Sequence, residues 1–234
     1  MVTGASRGLG VDIAAEASRQ GFPVALLARN SQDLQKVSEQ FDDPSRVLAL
    51  QVDITNPKAT KEAIAAIRSK FGGISALVNN AGTWTGGDTV TNISEQDFDR
   101  SITLNFKTAF HITQEILSIW KLDGQPPLAI MNIGASASVD SFAHVFSFAA
   151  AKGALRMMSQ SLAAELGAKG VHVSHLLIEG ILDNTRSRNF PGNEDLGNEH
   201  FIDQAALSRQ ILHVLQQEKS CWTFEWNVKP SVAT

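Results

Sequence analysis

The chain alternates five short runs rich in Val, Leu and Ile with longer stretches of helical period, and that alternation leaves little choice of architecture. The runs over 22–28, 46–52, 74–79, 127–133 and 171–178 read as strands buried on both faces, a pattern that belongs to parallel sheets. Between them, 9–20, 31–41, 57–71, 94–120 and 146–167 read as helices, with Gly21, Gly72 and Gly170 near three C-terminal ends. Strands separated by helices predict a sheet covered on both faces, α/β in class. Residues 222–228, where Thr223 and Phe224 alternate with polar neighbours, add a candidate edge strand. The first strand is anomalous, because only Met1 and Val2 precede the first glycine turn although this strand belongs at the centre. A start truncated upstream is expected, since a missing central strand leaves an open edge on each neighbour; an unusually short central strand is the alternative.

With 234 residues, 43% of them apolar, the chain can bury one full core, so 1–234 is expected to form a single domain. A net charge of −4 offers no basic footprint for nucleic acid. Cys221 is the only cysteine, so no intrachain disulfide can form and an oxidising compartment is not required. No apolar run approaches the ~18 residues of a membrane span, and no basic-then-apolar leader precedes the first motif. The expectation is a cytoplasmic protein with no membrane and no nucleic-acid partner, acting on a small molecule and associating with copies of itself.

One segment, about 179–200, lacks sustained periodicity and is rich in Gly and Asn. Its place after a strand, at the carboxyl edge where open α/β sheets bind ligands, favours a substrate lid over a merely variable surface loop.

At the amino end, Thr3-Gly4-Ala5-Ser6-Arg7-Gly8-Leu9-Gly10 runs directly into an amphipathic helix. Glycines allow a tight turn and close backbone approach, and the free amides of a helix start face an anion such as a pyrophosphate. Four further motifs follow: Asp53-Ile54, Asn79-Asn80-Ala81-Gly82, Leu104-Asn105 and Lys152. In this order and spacing they resemble the short-chain dehydrogenase/reductase family over nearly the whole chain. The resemblance implies a Rossmann-type doubly wound parallel sheet in a three-layer α/β/α sandwich. It also implies a nucleotide site drawn from Gly4, Ser6, Arg7, Gly8, Leu9, Gly10, Arg29, Asn30, Asp53, Ile54, Asn80, Ala81, Gly82, Lys152 and Gly180.

Charge bears on which nucleotide. NAD-selective sites place a carboxylate at the end of the second strand, roughly 20 residues past the glycines. Here that place holds Ala28, then Arg29 and Asn30, with Arg7 inside the glycine turn. Two guanidinium groups suit a 2′-phosphate, so NADP is expected; solvated surface arginines are the alternative.

The resemblance also exposes a gap. The family relays its proton through a tyrosine four residues before the lysine and holds the substrate oxygen with a serine thirteen residues earlier. Those places hold Phe148 and Ala135, and the chain contains no tyrosine at all. A phenyl ring has no exchangeable proton. Phe148 with the sequence around it resembles a divergent branch of the family in which phenylalanine is usual there. Lys152 and Asn105 are retained as catalytic candidates, Lys152 either as cofactor anchor alone or as proton donor through a lowered pKa. Ser136 and Ser138 stand near the vacant serine place, and His144 lies in the loop before the helix. Glu179 stands where the family has Pro-Gly, and is either an acid at the site or a solvent-facing residue.

An NADP-dependent oxidoreductase acting on a carbonyl, alcohol or activated double bond is therefore the first expectation. The alternatives are a non-redox enzyme on the same fold and a degenerate NADP-binding sensor. Phe106, Ile112, Ile116, Ile119, Leu155 and Met158 place apolar residues on more than one helix face. The resemblance implies a homodimer seam through these helices, with a homotetramer also open; close packing on the sheet is the alternative. Trp84 and the 181–190 segment suit an apolar ligand or the core.

Overall fold

A computed structural model describes residues 1–87, 89–124 and 126–232. In chain order the main elements are β1 (Val2–Thr3), α1 (Leu9–Arg19), β2 (Val24–Ala28), α2 (Ser31–Ser38), β3 (Val47–Gln51), α3 (Pro57–Phe71), β4 (Ala76–Asn79), α4 (Glu95–Ile102), α5 (Thr108–Leu122), β5 (Leu128–Ile133), α6 (Phe146–Leu166), β6 (Val171–Ile178), β7 (Ile181–Leu182), α7 (Thr185–Arg188), β8 (Phe201–Ile202), α8 (Gln204–Leu215) and β9 (Glu225–Val228). Seven strands form one parallel sheet in the order β3-β2-β1-β4-β5-β6-β9. The strand order turns back between β1 and β4, and the crevice at the carboxyl ends there is where a doubly wound sheet binds ligands.

The inner strands form where residues are buried on both faces, whereas the edge strands β3 and β9 are only partly covered. All eight residues of β6 are buried, as are all five of β2. Two cores result, one on each face. Leu9, Ile13, Leu26, Met131, Leu176 and Ile211 pack under α1 and α8. Leu27, Ile64, Leu77, Ile112, Ile130 and Val173 pack under α3 and α5. Local signals fix the ends of α3: Asn56 accepts from the Lys58 and Ala59 amides, Pro57 takes a first-turn place that needs no donor, and Gly72 closes the helix at φ 81°.

Central β1 is two residues long and bonded on both sides. Met1 extends its ladder, its nitrogen donating to Ala76 O at 2.8 Å and its carbonyl accepting from Val78 N at 2.9 Å.

Several expectations are corrected. The single helix over 94–120 is two, separated by a π-helical turn at Thr103–Lys107. The 179–200 segment is not irregular: β7 and β8 pair in parallel, Asn184 caps α7, and Arg188 forks onto Asp183 at 2.6 and 2.8 Å. Helix α8 was not anticipated, although Asp203 caps it and Leu207, Ile211 and Leu212 lie on its buried side at helical spacing. Ile112, Ile116 and Leu155 pack inward on the sheet and are at most 2% exposed, so they form no seam. Among the described residues, Phe110 and Met157 are the large apolar side chains that α5 and α6 expose. The last strand starts at Glu225 rather than 222, and Arg156 of α6 ties it down through a forked ion pair with Glu225 at 2.5 and 2.9 Å.

Candidate active site

The amino-terminal turn is built for an anion. Gly4 and Gly8 take positive φ, 67° and 57°, and Gly8 caps α1 with no side-chain acceptor, leaving first-turn amides without a side-chain partner. The turn is stitched to the end of β4: Asn80 Nδ2 donates to Thr3 O at 2.9 Å, and Thr3 Oγ1 accepts from the Asn80 and Ala81 amides at 3.1 and 3.0 Å. A Cβ on Gly10 would stand 2.5 Å from Gly4 O and 2.6 Å from Asn80 Nδ2, so this closeness needs glycine. Leu9 is buried beneath the turn, Ser6 is half-buried, and Arg7 is exposed at its outer rim.

At the far end of the crevice, Arg29 is exposed just beyond β2. Asn30 has a different task from the one expected. Its Oδ1 accepts from the Gln32 and Asp33 amides and caps α2, so that oxygen is committed to the fold. Asp53 accepts from the Thr55 amide at 3.0 Å and hydroxyl at 2.8 Å. Those two bonds, backbone first, and the nearby Arg29 hold its carboxyl below the usual range. Ile54 is buried beside it.

Toward β5 and α6 three of the expected groups meet. The π turn carries Asn105 inward, where its Oδ1 accepts from Thr83 N at 3.0 Å and its Nδ2 donates to Thr83 O and Ser101 O at 3.0 and 3.1 Å. Such one-turn widenings place side chains that a regular helix would aim elsewhere. Lys152 Nζ donates to Ile133 O at 2.8 Å. A Cβ on Gly82 would lie 2.8 Å from Asn105 Oδ1 and 3.6 Å from Lys152 Nζ, so the bare glycine leaves room between them. The Phe148 ring lies 5.7 Å from Lys152 Nζ and 5.1 Å from the half-exposed Trp84 ring. The Phe148 ring itself carries no hydroxyl.

Burial pulls Lys152 down to about 8. An ordinary lysine titrates near 10.4, so between about pH 8 and 10 the unfolded chain binds more protons than the folded one and stability rises with pH. The contribution is present above the unfolded value and lost as pH falls through the folded one. It amounts to about 3 kcal/mol. Urea denaturation across this window should show the rise in the wild type and a flat profile in Lys152→Met; equal slopes would contradict a buried, titrating Lys152.

Behind Lys152 runs a buried polar chain that sequence reasoning missed. Ser159 Oγ donates to Leu155 O at 2.7 Å and accepts from Asn132 Nδ2 at 2.8 Å, while Asn132 Oδ1 accepts from Asn79 Nδ2 at 2.8 Å. With its proton committed, Ser159 can only accept from His175 Nδ1, 3.3 Å away. His175 is held neutral, its pKa lowered to about 4 by burial and then by Lys152. Its Nε2 is therefore the acceptor, and the Ser138 hydroxyl, at 3.3 Å, donates to it. Gly134 makes this possible, because a Cβ there would collide with the His175 ring. The only sequence signal was a histidine inside an apolar strand, which by itself reads as core.

The remaining candidates divide. Ser136 is half-buried at the start of the Ser136–Ser138 turn, and its hydroxyl makes no hydrogen bond among the described residues. Glu179 does not join Lys152 or Asn105: its carboxylate accepts from Asn227 Nδ2 at 3.0 Å on the edge strand. A Cβ on Gly180 would stand 2.7 Å from Pro230 Cδ, so this glycine lets the start of the 179–200 segment pass the chain after β9. His144, at φ 67°, lines a cavity of about 110 Å³ with Thr85, Asp97 and Arg100.

Comparison with known proteins agrees with this fold. Residues 1–190 match the family model described as short chain dehydrogenase. An uncharacterized oxidoreductase of Staphylococcus epidermidis is 26% identical over 230 residues, 98% of this chain and 96% of that protein. A 3-oxoacyl-[acyl-carrier-protein] reductase of Vibrio cholerae is 31% identical over 176 residues, 74% of this chain and 69% of its own length. Among solved structures, the closed form of a serine dehydrogenase complexed with NADP+ superposes with a TM-score of 0.89 at 22% identity, covering 100% of this chain and 95% of that one.

Proposed function

The chain belongs to the short-chain dehydrogenase family, and on that premise we propose that it is an NADP(H)-dependent oxidoreductase that reduces a carbonyl or activated double bond, or oxidises an alcohol, with Lys152 in place of the missing phenol. The observation that carries this reading is the convergence of Gly82, Asn105 and Lys152 on one space at the carboxyl ends of β4 and β5. The residues present fit a dinucleotide. The glycine turn packs so closely that a Cβ on Gly10 would strike Gly4 O, the start of α1 has no side-chain cap, Arg7 is exposed on the turn, and Arg29 is exposed just beyond β2. Two such guanidinium groups favour the 2′-phosphorylated form. A nicotinamide nucleotide bound there supplies or accepts a hydride.

The protein must provide the rest. One Lys152 N–H is spent on Ile133 O, leaving two for the crevice side. With its pKa drawn to about 8 by burial, the ammonium is mostly protonated at neutral pH and close enough to neutrality to give a proton up. In a reduction Lys152 would give its proton, directly or through water, to the carbonyl oxygen as the carbon took up hydride, and the amine would regain a proton from solvent. Asn105, locked to Thr83, fixes the wall opposite. Ser138 is turned toward His175, which leaves Ser136 as the hydroxyl free to meet substrate oxygen. Trp84, 46% exposed above Phe148, suits an apolar substrate. A homodimer through the exposed Phe110 and Met157 and a cytoplasmic setting complete the proposal; among the described residues no helix is long and apolar enough to cross a membrane.

Incubation with C4-deuterated NADPH and a panel of ketones, aldehydes and enones tests it by mass spectrometry. Deuterium on carbon in the alcohol or saturated product is expected. Nucleotide binding with no label transfer to any member would replace the enzyme with a cofactor-binding sensor.

A further inference from the structure

Gln204, the first residue of α8, joins two parts of the site that are far apart in sequence. It is 7% exposed, and its Nε2 donates to the carbonyl of Asp183 at the base of the 179–200 segment. Its other amide atom, Oε1, is buried and has no hydrogen-bond partner among the described residues. That oxygen lies 3.4 Å from where a Cβ on Gly8 would stand, so it is aimed at the glycine turn beside the uncapped start of α1. Buried polar atoms are almost always paired. An orphan at the mouth of a ligand crevice is a place where the ligand completes the bond.

The chemistry of the orphan selects the ligand group. An amide oxygen accepts and cannot donate. Phosphate oxygens at neutral pH are acceptors too, so the pyrophosphate held by α1 cannot satisfy it. Nε2 is fixed on the Asp183 carbonyl, and turning the amide over would set oxygen against oxygen. The missing partner must therefore be an N–H or O–H from the end of the nucleotide beyond the phosphates. Of the groups there, an amide –NH2 reaching between Gly8 and Asp183 matches a planar side-chain amide held at that junction.

We infer that Gln204 is a cofactor-contacting residue whose Oε1 accepts a hydrogen bond from the nicotinamide carboxamide –NH2, coupling the base of the lid to the bound nucleotide. The inference rests on the nicotinamide reading above. It makes Gln204 a residue that distinguishes the carboxamide from groups of similar shape without a donor.

The test compares affinities for NADP+ and its 3-acetylpyridine analogue, in which a methyl ketone replaces the carboxamide, in wild type, Gln204→Met and Gln204→Glu. Both variants lose the donor to Asp183, but Gln204→Glu keeps an acceptor and Gln204→Met does not, so any effect of loosening the lid is common to the two. One hydrogen bond is worth about tenfold in affinity. Isothermal calorimetry should show wild type and Gln204→Glu preferring NADP+ by about that factor and Gln204→Met binding the two nucleotides equally. Retention of the wild-type preference in Gln204→Met would overturn the inference and leave the cofactor reading intact. Failure of the wild type to bind either nucleotide would overturn both.

Discussion

Replacing Phe148 with tyrosine is expected to raise kcat for carbonyl reduction by about 10²-fold or more, toward the range that a positioned general acid usually contributes. The ring is already in place, with its centroid 5.7 Å from Lys152 Nζ and its plane tilted 59° to that of Trp84. A phenol oxygen on that ring would gain from Lys152 what an acid needs, a nearby positive charge that lowers its pKa. The effect should fall on kcat with little change in KM, because the added group acts in the transition state. It should also change the pH profile. In the wild type, reduction should decline as pH rises past about 8, where Lys152 loses its proton; in Phe148→Tyr the limb should follow the phenol instead. Steady-state rates for both forms over this range, with circular dichroism to confirm the fold, decide the matter. An unchanged rate and limb in Phe148→Tyr would mean that the reacting oxygen sits elsewhere.

The second large effect is at Gly10. An alanine there would press its methyl against Gly4 O at 2.5 Å, Asn80 Nδ2 at 2.6 Å and Ala5 Cα at 3.1 Å. Two of these atoms are backbone and the third is held by Thr3 O, so the turn itself must move. Overpacking of this kind costs about 1–3 kcal/mol of stability. The functional cost should be greater, because the same movement shifts the α1 amides that receive the nucleotide; a displacement of about 1 Å commonly costs about 10²-fold. Gly73→Ala is the control, since nothing lies within 4 Å of a Cβ there. A Gly10→Ala protein that melts slightly lower and binds NADPH about a hundred times more weakly is expected, beside an unaltered Gly73→Ala.

The sheet was readable because its strands are apolar on both faces: 171–178 was delimited to the residue, and 57–71 likewise, since Pro57 and Gly72 mark its ends chemically. The glycine turn was legible from the close backbone approach that its residues allow, whereas Asn105 and Lys152 were legible only through the family motifs they resemble. What was not legible depends on partners distant in sequence. The π turn at 103–107 interrupts no apolar period, so 94–120 read as one helix. Strands β7 and β8 are two residues each and gain their meaning from pairing with one another across α7. His175 reads as a core residue until Gly134, Ser138 and Ser159 are seen around it. Glu179 was placed near the chemistry by chain position, but β9, whose edge supplies Asn227, takes up its carboxylate. Gln204 carried no signal at all, because an unsatisfied acceptor is visible only in three dimensions.

The account depends most on the amino-terminal turn holding a 2′-phosphorylated dinucleotide. Calorimetric titration of NADPH and NADH into the purified full chain tests this directly, with Gly10→Ala alongside. Saturable binding of NADPH, tighter than that of NADH and largely lost in Gly10→Ala, is the predicted result. No heat from either nucleotide, or binding that Gly10→Ala leaves untouched, would contradict it.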